Sequence, residues 1–201
     1  MERADLKLIL QINRLWKPVY PYLAKHIEEI YGRRDGKLLE IGPFSGVIFS
    51  FMRDGVGNAH TIASFPQGMS ESYVAEAREA GVAGRLRVIE SDPSLAGVEQ
   101  NSVDLAVFRG AFFFPSLFEI DMVAVERALR PDGIAFVGGG FGKYTPNSVL
   151  LALGKESREL NVSIGKIEMT EQSLRKLLTG SGVVSKSSII DEGGLWVILR
   201  K

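Results

Sequence analysis

From Lys37 onward the chain alternates short apolar runs with amphipathic stretches, and this alternation limits the fold more than any other feature. The runs are Leu38–Ile41, His60–Phe65, Arg85–Glu90, Val103–Phe108 and Ile134–Gly140. Between them Val47–Asp54, Met69–Ala80 and Phe118–Leu129 carry helical spacing, closed by Gly55, Gly81 and the Pro131-Asp132-Gly133 turn. Strands that alternate with helices predict a parallel sheet, because parallel neighbours need a crossover between them. Two more helices are expected near Asn147–Leu160 and Glu171–Leu178. The pattern then breaks. Val183–Ile190 and Leu195–Arg200 are separated only by residues 191–194, which is hairpin length, so the last strand should run antiparallel.

Ahead of this pattern, Leu6, Ile9, Leu10, Ile12 and Leu15 fall at helical spacing, and a second helix is expected from Pro18 to about Ile30, stopped by Gly32. Charged residues are scattered through this segment, so it reads neither as a signal peptide nor as a membrane span, and a soluble cytoplasmic protein is expected. Lys and Arg total 24 and Asp and Glu total 24, without a run of like charge to track a phosphate backbone, so nucleic acid is not an expected partner. The chain has no cysteine, which removes disulfides, thiolate metal clusters and a cysteine nucleophile. No metal is expected.

The first strand ends in Glu40 and is followed by Gly42-Pro43-Phe44-Ser45-Gly46 and an apolar helix. Such a strand, loop and helix turn free backbone amides toward a ligand. A dinucleotide fingerprint would need glycine at 44 and 47, where Phe44 and Val47 stand, and a P-loop would need Gly-Lys-Ser or Gly-Lys-Thr after Gly46. Both readings fail.

These residues resemble the class I S-adenosylmethionine-dependent methyltransferases, in the branch often called methyltransferase type 11, whose first motif places an acidic residue before a glycine loop. The resemblance continues through Ala75–Gly81, Ser91-Asp92, Ser102–Phe114 and Glu126–Gly142, in the family's order. It implies a three-layer, Rossmann-like, seven-stranded sheet, mostly parallel with an antiparallel last strand and helices on both faces. It also implies one domain over 1–201, with residues 1–32 as a helical cap on a core from 37 to 201. The implied function is methyl transfer from S-adenosylmethionine to a small-molecule acceptor by in-line displacement. The alternative is a weak or inactive member that serves as a ligand-binding or partner subunit.

The family's roles then fall on particular positions. Glu40, Gly42, Pro43 and Gly46 would lie beside the methionine end of the cofactor, although Glu40 can equally satisfy loop amides. Ser64 stands where the family has an acidic residue for the ribose hydroxyls, and Phe65 would lie against adenine or ribose or pack in the core. Asp92 would accept from the adenine amino group or simply form a turn before Pro93, which has no N–H to complete the contact. Phe44 replaces the middle glycine and must turn away or fill part of the pocket. Arg109 and Gly110 would line the junction of cofactor and substrate, with a surface salt bridge as the plainer role for Arg109. Phe112, with Trp16, Tyr20 and Tyr22, is a candidate for the substrate wall or lid. No general base stands out, since His26 and His60 read as structural, and the catalytic residues and oligomeric state stay unassigned.

Overall fold

In a computed structural model, which describes residues 3–201 of the chain, seven strands form one sheet. They are β1 (Lys37–Ile41), β2 (Ala59–Ser64), β3 (Leu86–Glu90), β4 (Val103–Arg109), β5 (Leu129–Gly140), β6 (Ser187–Ile190) and β7 (Gly194–Arg200), in the order β3-β2-β1-β4-β5-β7-β6. β1 to β5 pair in parallel, and β7 runs antiparallel to both β5 and β6. The expected reversal at the C-terminus is therefore present. Its first strand is shorter than the apolar run suggested, because Val184–Lys186 coil into a 3-10 turn.

The helices are α1 (Arg3–Trp16), α2 (Tyr20–Tyr31), α3 (Val47–Asp54), α4 (Met69–Glu79), α5 (Met122–Ala128), α6 (Asn147–Ser163) and α7 (Glu171–Gly180). The first two residues of the expected N-terminal cap lie outside the described region. Gly32 ends α2 at φ 71°, the left-handed conformation that only glycine adopts cheaply. The expected helix from Phe118 starts instead at Met122, where the Asp121 carboxylate caps it by accepting from the Ala124 amide at 2.8 Å. Phe118 is left free to pack against Phe65 and Phe108. The Pro131-Asp132-Gly133 turn falls inside β5, as an irregularity opposite Val103–Leu105, with Asp132 at φ 64°.

Alternation along the strands sends neighbouring residues to opposite layers. Leu39, Ala106 and Val137 pack with α5 and α7, through Val125 and Leu174 among others. Leu38, Leu105 and Phe136 pack with α2 and α3, through Leu23, Ile27 and Phe51. A third cluster joins Ile9 and Ile12 of α1 to Ile48, Met69 and Tyr73 of α3 and α4. α1 therefore covers the glycine loop and does not project away from the sheet. No helix among the described residues is long and apolar enough to cross a membrane.

Candidate functional site

The loop after β1 is buried from Glu40 to Val47. α3 follows Gly46, which stands at its N-cap and has no side chain to cap the free amides. Glu40 supplies the missing acceptor: Gly46 and Ile48 donate to its Oε2 at 2.8 and 2.9 Å, and Val47 donates to its Oε1 at 3.1 Å. A carboxylate at the positive end of a helix is favourable. Glu40 is only 1% exposed, however, and burial pushes its pKa up to about 7 against the pull of these amides and of Arg109.

The faces left open by three glycines are filled by the chain's own rings. A Cβ on Gly42 (φ 90°) would lie 2.9 Å from Phe108 and 3.1 Å from Phe65. One on Gly46 would collide with the Tyr20 ring, and one on Gly110 (φ 80°) would lie 2.5 Å from Phe44. The Phe44 ring stacks at a tilt on Phe114, with centroids 4.5 Å apart, and is 2% exposed. The side chain at the position of the family's middle glycine thus turns toward the end of β4.

Polar side chains from elsewhere hold the loop carbonyls. Asn13 Nδ2 and the Tyr73 hydroxyl donate to the Pro43 carbonyl at 2.7 and 2.6 Å. Arg109 Nε donates to the Phe44 carbonyl at 3.0 Å, and its Nη2 donates to the Tyr20 hydroxyl at 2.7 Å. The guanidinium also lies over the rings of Tyr20 and Trp16, 4.8 and 5.3 Å from their centroids. Arg109 is 5% exposed, so the plainer expectation of a surface salt bridge is corrected: it is a buried cation on neutral partners.

Of the other expected residues, Phe65 packs against Gly42, whereas the side chains of Ser64 and Asp92 make no hydrogen bond to the loop. Ser64 is fully buried, and its Oγ has no hydrogen-bond partner among the described residues. Phe65 meets Phe108 and Phe118 edge-on, at 5.8 and 5.5 Å. Asp92 is exposed and accepts from the Ser94 amide at 2.7 Å and the Ser94 hydroxyl at 2.5 Å, which hold its carboxyl below the usual range. Its carboxylate is thereby committed to the turn it shares with half-buried Pro93.

A cavity of about 750 Å³ opens over the ends of β4 and β5, between α1, α6 and residues 166–170. Of the expected residues, Trp16, Phe44, Arg109 and Gly110 line it. Tyr20 stands behind Arg109, Tyr22 is half-buried and outside the lining, and Phe112 is buried in the α5–α7 layer. From that aromatic run Phe113 and Phe114 line the cavity, and Phe113 also packs on Gly139. Ser157, Asn161 and Lys166 were missed, since they lie on or after α6, far along the chain from any motif. The one sequence signal was the glycine run ending β5, whose Gly139, Gly140 and Phe141 do line the cavity. Lys143 and Tyr144, which follow this run, bind Glu29 of α2.

No protein-family profile matches the sequence, and no curated protein matches it. Solved structures do. A candidate S-adenosyl-L-methionine-dependent methyltransferase from Methanococcus maripaludis superposes with a TM-score of 0.78 at 21% identity, over 100% of this chain and 95% of that one. A SAM-dependent methyltransferase from Aquifex aeolicus gives 0.61 at 13% identity, over 96% of each chain. The geranyl diphosphate C-methyltransferase of Streptomyces coelicolor, solved with Mg2+, geranyl diphosphate and S-adenosyl-L-homocysteine, gives 0.56 at 11% identity, over 88% of this chain and 77% of that one. Strand order, the reversed seventh strand and these superpositions agree: the chain has the fold of the class I S-adenosylmethionine-dependent methyltransferases.

Proposed function

We propose that this protein is an S-adenosylmethionine-dependent methyltransferase acting on a small molecule, and that its acceptor occupies the cavity over β4 and β5. The observation that carries the reading is the position of that cavity, which meets the glycine loop at Phe44 and the end of β4 at Gly110. In open α/β sheets, ligands bind outside the carboxyl ends of the strands. Methyl transfer asks the protein chiefly to align two reactants and exclude water. The aromatic wall of the cavity suits the second task, and no general base is assigned.

In the loop as arranged here, the chain's own side chains stand where the resemblance puts the methionine end of the cofactor. Rings fill the open faces of Gly42, Gly46 and Gly110, and Glu40 is committed to the amides of α3. Where the family has an acidic residue for the ribose there is the buried hydroxyl of Ser64. These observations favour a second reading, a methyltransferase-fold protein that binds a small molecule without turning it over, alone or as a partner subunit.

Calorimetric titration with S-adenosylmethionine and S-adenosylhomocysteine, followed by thermal melting, separates the two. Binding heat and a raised melting temperature support the enzyme. Silence in both assays at millimolar ligand refutes it and leaves the second reading.

A further inference from the structure

The cavity contains a buried guanidinium with no ion pair among the described residues, and we infer that it is a receptor for a small organic oxyanion. The ligand would carry a carboxylate or phosphate head at Arg109 and Lys166 and an apolar body along the aromatic wall. The inference rests on the proposal that this cavity holds the small molecule, and it is independent of cofactor binding.

Arg109 is 95% buried, since 5% of it is exposed. Its side-chain hydrogen bonds go to a carbonyl and a phenol, neither of them charged. Among the described residues no carboxylate comes within ion-pair reach of it, and Nη1 makes no hydrogen bond. A guanidinium offers five donors in a planar fork, so bonding capacity is left over on a residue that lines the cavity. The Glu40 carboxylate that feels its charge is engaged by the α3 amides, so an anion that reaches the guanidinium adds charge-assisted hydrogen bonds that Glu40 does not make.

Lys166 lines the same space, with its ammonium 5.4 Å from the centroid of the Phe113 ring and no ion pair among the described residues. Partial burial and the charge of Arg109 hold its ammonium below the usual lysine range, as expected for two cations lining one cavity. Arg158 adds a third cation to the lining, and Glu168 is its single acidic residue. The segment carrying Lys166 is tied down, since the Lys166 amide donates to the Asn161 carbonyl and the Ile167 amide to the Phe113 carbonyl, at 2.8 and 2.9 Å. Trp16, Phe113, Phe114 and Phe141 supply apolar wall, and about 750 Å³ is the size of a typical small-molecule site.

Phenylacetate, phenyl phosphate and the neutral phenylacetamide, titrated calorimetrically into the full chain without cofactor, test the inference. At least one anion should bind about tenfold more tightly than the amide. The stronger of the two identifies the head group. Lys166→Gln, at an exposed position, should weaken that anion about threefold. Arg109→Met should abolish the preference for charge, with circular dichroism checking that the chain remains folded. The inference is overturned if the amide binds as well as both anions, if neither anion binds the folded protein at millimolar concentration, or if Lys166→Gln leaves the affinity unchanged. Anion binding with silent S-adenosylmethionine titrations would refute the enzyme and leave the receptor standing.

Discussion

Replacing Phe44 by alanine removes a ring that is 2% exposed, lies 4.5 Å from Phe114 and fills the face of Gly110. A buried aromatic side chain covers about 200 Å², and at about 25 cal/mol per Å² its burial contributes about 5 kcal/mol. Phe44 also borders the cavity, so water can enter part of the vacated volume, and the loss should fall near 3 kcal/mol, the low end for Phe→Ala. For a chain of this length that is a fall in melting temperature of about 6 to 12 °C. The same substitution clears the face of Gly110 at the end of β4, so S-adenosylhomocysteine should bind more tightly to the variant than to the parent. Urea unfolding supplies the first readout and calorimetry the second. A stability loss under about 1 kcal/mol would refute the packing argument. Unchanged or weaker nucleoside binding in a folded variant would refute the idea that this ring keeps the cofactor out.

Three further outcomes follow from the same geometry. Gly46→Ala places a methyl group against the Tyr20 ring at φ 152° and should cost about 3 kcal/mol by urea unfolding, and less in a Tyr20→Ala background, where only backbone strain remains; equal costs in both backgrounds would show that the ring is not in the way. Burial holds the imidazoles of His26 and His60 below the usual histidine range, so the unfolded chain binds the extra protons and these two groups should lower stability as pH drops below 6.5, against the opposite contribution of Glu40; the double variant His26→Asn, His60→Gln should raise the urea midpoint at about pH 5.5 relative to that at about pH 7.5, compared with the parent, and an unaltered difference would contradict this. Asp104, 1% exposed, accepts from the Lys37 amide at 2.7 Å and pairs with Arg130 at 3.0 Å, so Asp104→Ala should cost about 2 kcal/mol, mostly from the orphaned amide; a melting temperature equal to that of the parent would refute that role.

The sheet was legible in the sequence because its signals are local. The spacing of apolar runs marks β1 to β5, Gly46 and Gly55 bracket α3, and the short link at 191–194 leaves no room for a crossover before the reversed strand. The glycine loop showed equally well that backbone must approach something closely. It did not show what. A glycine records only that a side chain is excluded, and whether a ligand or another part of the chain takes the space depends on residues distant in sequence. Here the occupants are Tyr20, Phe65 and Phe108, while Phe44 fills the face of Gly110. Glu40 was open to two roles for a similar reason, and the amides it caps are fixed only once α3 is set against β1. The start of α5 at Met122 turned on Phe118 joining a cluster whose other rings come from β4 and the end of β2. Arg109 gains its meaning from burial between α1, α2 and the loop, and Lys166 from the path of the chain after α6. Sequence by itself determined the fold, through periodicity and turn chemistry. Tertiary structure decided that the loop is closed and that the open volume lies beside it, because filling space is a property of residues that meet only after folding.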